Sequence, residues 1–184
     1  FLKHGTETWS IIDSTIDQAL YVYHLQVDPI NPETLYLATS SGLYRCIGDP
    51  YPNYGTDCTQ IAHADAFVFD LALDLRSMDA SGDITKLYSA VANLGLFKSK
   101  DAGNTFTPSY SGIKSNRIVS ILNDPDQPST LYASAYEGGV YKSVNEGQTW
   151  FRLSNGLTSR FVNQLVFRPG DSSVIYAATQ DAGI

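Results

Sequence analysis

The sequence repeats itself about every 44 residues, and this period constrains the fold more than any other feature. An aromatic residue directly after an apolar one recurs with spacings of 52, 44 and 44 residues, at Tyr36, Tyr88, Tyr132 and Tyr176. A glycine that follows it keeps the same register, at Gly42, Gly95, Gly139 and Gly183. Two landmarks that stay in register along the chain indicate a repeat architecture.

Each copy contains short apolar and aromatic runs separated by turn residues, which is the pattern of consecutive antiparallel strands. In the third copy, strands are predicted at residues 117–122, 131–135, 140–143 and 149–153. Twelve Tyr and eight Phe agree with this, because aromatic side chains favour strands. Four strands in about 44 residues are typical of one blade of a β-propeller, whereas the rungs of a β-solenoid are usually shorter.

We therefore predict that residues 1–184 form a single all-β region, a β-propeller of four-stranded antiparallel blades with about four blades in this chain. The approximate repeats are 21–66, 67–116, 117–159, and 160–184 joined with 1–20. The last repeat is joined because Gly183-Ile184 followed by Phe1–Trp9 resembles the third copy from Gly139 to Trp150. Three arrangements fit: a four-bladed ring closed by the two ends, an eight-bladed ring of two chains, and an excerpt of a longer propeller.

The most specific signal is a turn motif that occurs twice, 44 residues apart. A short Asp or Asn side chain accepts hydrogen bonds from N–H groups of its own turn, and glycine adopts φ > 0 without steric cost. The aromatic residue that ends the motif is expected to pack between neighbouring blades. The defining positions are Ser99, Asp101, Gly103, Thr105 and Phe106 in the first copy, and Ser143, Asn145, Gly147, Thr149 and Trp150 in the second.

This turn resembles the Asp-box, or BNR repeat, of sialidases, sortilin-type receptors, xyloglucanase-like glycoside hydrolases and photosystem-assembly propellers. The first copy matches at every defined position, and the second has Asn145 in place of the aspartate. The resemblance implies a structural role for both turns, because Asp-boxes lie on the face of the propeller opposite to the ligand cleft. It specifies a fold more than a function, since one fold hosts many activities.

Two cysteines, Cys46 and Cys58, stand where the first repeat would carry this turn. They are not accompanied by further metal ligands at a suitable spacing, so no metal site is predicted. A disulfide between them would stabilise the blade by about 3 kcal/mol in the loop-entropy model. It would also indicate an oxidising compartment, and hence an extracellular, secreted or periplasmic protein. Two reduced thiols are the alternative.

A ligand is expected on the face formed by the loops between second and third strands and by the connections between blades, where the resembling families place their sites. The candidates there are Ser40, Ser41, Asn93, Asn116, Arg117, Tyr136, Glu137, Ser159, Arg160, Gln180 and Asp181. Glu137 and Asp181 occupy equivalent positions, and two carboxylates that face one cleft are what a glycosidase needs. They are the best candidates if the chain is an enzyme, but we favour the interpretation that they are two solvated loop carboxylates, and no catalytic residue is predicted.

The net charge of −7, with only 12 Lys and Arg, argues against nucleic-acid binding. No apolar run approaches the ~20 residues that span a bilayer, so membrane insertion is not expected. No phosphate loop, esterase elbow or zinc signature is present, and no cofactor is expected. We therefore expect a non-catalytic module that binds or scaffolds a protein or a glycan, as a homodimer or with further blades of a longer chain. A fragment of a xyloglucanase-like glycoside hydrolase is the alternative.

Overall fold

The structure is a computed structural model, and it describes residues 20–48, 57–153 and 155–183. These residues form strands and turns, and they contain no helix. The strands are β1 (Val22–Val27), β2 (Thr34–Thr39), β3 (Gly42–Ile47), β4 (Asp57–Ala62), β5 (Val68–Leu73), β6 (Leu87–Val91), β7 (Gly95–Ser99), β8 (Thr107–Pro108), β9 (Ile118–Asn123), β10 (Leu131–Ala135), β11 (Gly139–Ser143), β12 (Phe151–Leu153), β13 (Val162–Arg168) and β14 (Asp171–Thr179).

The described strands form three four-stranded sheets, β1–β4, β5–β8 and β9–β12, and one two-stranded sheet, β13–β14. Every pairing is antiparallel, and each four-stranded sheet follows the order of the chain. The prediction of an all-β propeller with four-stranded blades is therefore confirmed. The predicted completion of the fourth blade by the N-terminal segment falls on residues 1–19 and 184, which lie outside the described residues.

The first strands of successive blades are neighbours, β1 beside β5, β5 beside β9, and β9 beside β13. The hydrophobic core lies between the blades rather than inside one sheet. One cluster joins the first two blades through Leu43, Leu71 and Leu87, and another joins the second and third through Leu96 and Ile118. Because both faces of the middle strands are covered, β6 is buried along its whole length. This double burial explains why the repeats show short continuous apolar runs.

In the first three blades the recurring glycine begins the third strand, and its backbone conformation explains its recurrence. Gly42, Gly95, Gly139 and Gly183 all have positive φ, between 76° and 117°. At Gly95 an added Cβ would lie 3.0 Å from the ring of Tyr110. The position therefore requires glycine both for its dihedral angle and for the close approach of a neighbouring side chain.

The last strand of the third blade begins later than the sequence predicts, at Phe151 rather than at residue 149. The N–H of Thr149 donates to the Asn145 side chain, and the N–H of Trp150 donates to the carbonyl oxygen of Ser111. Neither N–H group therefore pairs with β11, and the pairing of β12 with β11 begins at Phe151. The other strands of this blade differ from their predicted bounds by one residue or less.

The predicted disulfide between Cys46 and Cys58 is present. The two residues are direct partners on β3 and β4, so the bridge joins the outer strands of the first blade. The loop that it closes includes residues 49–56, which lie outside the described residues.

Candidate functional site

The turn between β7 and β8, which we call the Ser99 turn (Ser99–Phe106), is held by its own side chains. The Ser99 hydroxyl accepts the N–H of Gly103 at 2.9 Å and donates to Oδ1 of Asp101 at 2.8 Å. Asp101 accepts both the N–H of Thr105, at 2.8 Å, and its hydroxyl, at 2.6 Å. These hydrogen bonds stabilise the ionised carboxylate and lower the pKa of Asp101.

The equivalent Ser143 turn (Ser143–Trp150) repeats this network with an amide in place of the carboxylate. Oδ1 of Asn145 accepts the N–H of Thr149 at 2.9 Å, as Asp101 does in the first copy. The Asn145 amide donates to the Thr149 hydroxyl at 2.8 Å, so this one hydrogen bond runs in the opposite direction. A threonine hydroxyl both donates and accepts, which lets either side chain fill the position.

The aromatic residues of both turns pack at blade boundaries. Phe106 contacts the cluster between the first and second blades, and Trp150 belongs to the cluster between the second and third. Both turns also bond to the loop between first and second strands, since Ala102 N donates to Thr85 O and Glu146 N to Ser129 O. The turns therefore lie at the end of the blades where β5 leads into β6 and β9 leads into β10.

The opposite end of the blades carries a cleft of about 630 Å³ between the second and third blades. It is built by the β6–β7 and β10–β11 turns, by the connection from β8 to β9, and by one residue each of β11 and β12. The predicted ligand-face residues that line it are Asn93, Asn116, Arg117, Tyr136 and Glu137. The other lining residues are Gly112, Lys114, Ser115, Gly138, Tyr141 and Arg152.

Tyr136 is the fixed centre of this cleft. The guanidinium of Arg117 lies over its ring, 4.0 Å from the ring centroid, and its hydroxyl donates to the Gln180 side chain at 2.9 Å. The ring of Phe161 stands against it edge-on at 5.2 Å. Backbone bonds fix the same strand ends, since Tyr136 N donates to Arg117 O and Gln180 N to Phe161 O. The third and fourth blades are thus tied together at the cleft.

The cleft is cationic although the protein is acidic. Lys114, Arg117 and Arg152 line it together with a single carboxylate, that of Glu137. All four side chains belong to exposed residues, and none of them forms an ion pair with another described residue. Three unpaired cations against one anion produce a local positive potential.

The remaining predicted ligand-face residues lie outside this cleft. Ser40 bonds to Tyr21 through both its N–H and its hydroxyl, and Ser41 N donates to the Thr39 hydroxyl. Ser159 is buried and its hydroxyl accepts Phe161 N, while the carbonyl oxygen of Arg160 accepts Gly139 N. Asp181 is exposed and is not among the residues that line the cleft with Glu137.

A second cavity of about 230 Å³ lies where the first strands of the blades meet. Four polar residues occupy equivalent strand positions there, His24, Asp70, Ser120 and Gln164. Nδ1 of His24 lies 3.0 Å from Asp70, whose other oxygen accepts the N–H of Ile121 in the next blade. The hydrogen bond to Asp70 raises the pKa of His24. The sequence does not reveal this set of four polar residues, because they share a strand position but no residue type.

An ion-pair network connects the second blade to the Ser143 turn. Glu146 lies 2.7 Å from the ammonium groups of both Lys86 and Lys98. These two cations lower the pKa of Glu146 to about 2. Burial lowers the pKa of Lys98, which is almost fully enclosed. No group of three or more His, Cys, Asp or Glu side chains in the described part of the chain is placed to hold a metal ion.

No model of a known protein family matches the chain, and no curated protein sequence does either. Among solved structures, an ancestral GH74 enzyme is similar, with a TM-score of 0.58 and 19% identity over 85% of this chain. This similarity supports the β-propeller fold. Two further structures are similar at a lower level. The GH74 xyloglucanase from Xanthomonas campestris has a TM-score of 0.47 and 17% identity, and the match covers 84% of this chain and 35% of that chain. YCF48 bound to a D1 peptide has a TM-score of 0.48 and 11% identity, and the match covers 86% of this chain and 52% of that chain. The chain spans about a fifth of the ancestral GH74 enzyme, 21% of its length.

Across the residues 20–48, 57–153 and 155–183, no helix is long and apolar enough to cross a membrane.

Proposed function

We propose that this chain is a non-catalytic β-propeller that binds a protein or a glycan in the cleft between its second and third blades. The observation that carries the proposal is the cleft itself. It is open, it is lined mainly by polar side chains, and its central tyrosine is held in place from three sides. A preformed cleft with convergent polar groups is the usual form of a binding site.

The arrangement of carboxylates favours binding over catalysis. A glycosidase of the usual kind needs two carboxyl groups, about 5–10 Å apart, on either side of the scissile bond. Of the described residues that line the cleft, Glu137 alone carries a carboxylate, and no shared contact links it to Asp181. The alternative function, a segment of a xyloglucanase-like hydrolase, is favoured by the similarity to the ancestral GH74 enzyme.

The Ser99 and Ser143 turns take the structural role of Asp-box turns in this proposal. Their polar side chains are occupied by hydrogen bonds within the turn, and they lie at the end of the blades opposite to the cleft. The disulfide supports an oxidising compartment, and we propose that the protein is extracellular, secreted or periplasmic.

The test compares two matched double variants. Arg117→Ala with Asn116→Ala alters the cleft, whereas Arg76→Ala with Asn104→Ala removes an exposed arginine and an exposed asparagine elsewhere. The probes in native affinity electrophoresis are xyloglucan, mixed-linkage β-glucan, polygalacturonate and a decaglutamate peptide. We expect at least one probe to retard the wild type and the control variant but not the cleft variant.

The same preparations are assayed for reducing ends released from the three polysaccharides, and we expect none. Equal retardation of both double variants by every probe would contradict the proposal. Release of reducing ends that is lost in Glu137→Gln or Asp181→Asn would establish the hydrolase alternative.

A further inference from the structure

We propose that the cleft binds an acidic glycan, and that Arg117 and Arg152, assisted by Lys114, hold a carboxylate of a uronic acid unit. This inference rests on the proposed function and names the class of ligand. It follows from three features of the cleft: a preoriented arginine, cations without partners, and a lining that suits sugar hydroxyl groups.

Arg117 is oriented before any ligand arrives. Its guanidinium lies over the ring of Tyr136, which is itself held by Gln180 and Phe161. No acidic side chain of the described residues forms an ion pair with this guanidinium. The planar edge of an arginine matches the two oxygens of a carboxylate. A side chain that is already ordered loses less entropy on binding.

Arg152 is the second arginine of the cleft, and like Arg117 it forms no ion pair with a described residue. It lies on β12 opposite Tyr141, and its guanidinium packs close to Gly139, where a Cβ would come within 3.4 Å of it. Neither arginine is paired with an acidic side chain of the described residues. Two other exposed arginines of the described residues are paired, Arg76 with Asp126 and Arg168 with Asp171. The cleft therefore keeps unpaired positive charge in a chain of net charge −7.

The lining favours a sugar over a peptide. Asn93, Ser115 and Asn116 present amide and hydroxyl groups, which donate to and accept from sugar hydroxyls. Peptide recognition generally relies on an apolar anchor in a pocket. The two aromatic residues of the lining do not offer one, because Tyr141 is buried and one face of Tyr136 is covered by Arg117.

The experiment is calorimetric titration with three probes of similar length: tetragalacturonate, the neutral cellotetraose, and a tetraglutamate peptide. Arg117→Gln and Arg152→Gln each remove one cleft cation, and Arg76→Gln is the matched control. We expect tetragalacturonate to bind the wild type and the control equally. Each cleft substitution should weaken binding about tenfold or more, because a hydrogen-bonded ion contact is lost.

Two further readouts separate carboxylate recognition from a general loss of structure. Arg117→Lys should restore only part of the affinity, because the charge returns without the planar pair of donors. Affinity should fall as salt rises from 50 to 300 mM, since exposed charges are screened. Thermal unfolding of every variant checks that the blade is intact.

The outcomes are distinct. Tetragalacturonate binding that the two cleft substitutions weaken supports the inference. Preferential binding of cellotetraose or of tetraglutamate, lost in the cleft variants, overturns it and leaves the proposed function standing. Equal affinity of Arg117→Gln and wild type for tetragalacturonate, or no binding of it at all, also overturns it.

Discussion

The indole Nε1 of Trp150 donates a hydrogen bond to the carbonyl oxygen of Ser109 across the boundary between the third and second blades, at 2.6 Å. The same N–H lies 3.1 Å from the carbonyl oxygen of Gly147 in its own turn. The tryptophan is buried in the cluster that fills this boundary. One side chain therefore joins the Ser143 turn to the neighbouring blade, and the cleft lies between these same two blades.

Replacing Trp150 tests how strongly this boundary is held. Trp150→Phe removes the buried N–H and leaves two carbonyl oxygens without it, which we expect to cost about 1–3 kcal/mol of unfolding free energy in addition to the lost packing. Urea unfolding measures the change. Phe106→Leu, at the less buried equivalent position, is the control and should cost less. Equal destabilisation by both substitutions would contradict this account of Trp150.

The two turns predict that an amide and a carboxylate are interchangeable at their central position. Asp101→Asn should retain the turn, because Asn145 fills the equivalent position in the Ser143 turn. It accepts the N–H of Thr149 as Asp101 accepts that of Thr105, and it donates to the threonine hydroxyl instead of accepting from it. Asp101→Ala removes the acceptor of the Thr105 N–H and should lower the melting temperature more than Asp101→Asn does. Thermal unfolding of both variants gives the order. An asparagine variant as unstable as the alanine variant would show that the charge itself is required.

The ion pairs of Glu146 predict that the free energy of unfolding decreases at acidic pH. Its pKa of about 2 in the folded protein lies below the ordinary value of 4.5, so unfolding takes up a proton between these values. The contribution of Glu146 is therefore complete above pH 4.5 and is lost as the pH falls towards 2. The gap in unfolding free energy between wild type and Glu146→Gln should narrow over this range. A gap that stays constant over this range would contradict the role given to the two ion pairs of Glu146.

Two histidines are predicted to titrate on opposite sides of the ordinary pKa of 6.5. Burial between Phe97 and Phe106 lowers the pKa of His63 to about 4, whereas the bond to Asp70 raises that of His24. His63 thus stabilises the fold fully above pH 6.5, and this contribution is lost as the pH falls towards 4. The contribution of His24 is complete below pH 6.5 and is lost as the pH rises through its folded value. NMR titration of both rings measures the two values, and a single shared pKa near 6.5 would contradict the contacts described.

The sequence predicts the blades well because their determinants are local. The strand–turn alternation, the glycine at the start of each third strand and the cysteine pair all depend on residues close together in the chain. Trp150 was also expected at a blade boundary, because it is the aromatic residue that ends the turn motif, and it packs there.

The cleft is only partly visible in the sequence, because it depends on how blades are placed side by side. Arg117, Tyr136 and Glu137 could be predicted from their loop positions. Arg152 could not, since it reaches the cleft from β12, an outer strand that the sequence gives no reason to connect with a ligand. The His24–Asp70 contact escaped for a similar reason, as it joins the first strands of two blades across 46 residues of chain.

The central claim is that ligand recognition takes place at Tyr136 and its neighbours, between the second and third blades. It is tested most directly by following backbone amide NMR signals while tetragalacturonate, cellotetraose and tetraglutamate are added in turn. The account predicts that tetragalacturonate shifts the amides of Asn116, Arg117 and Tyr136 and leaves those of Asp101 and Asn145 at the opposite end unchanged. Shifts centred on the Ser99 or Ser143 turn, with the cleft amides unmoved, would contradict it.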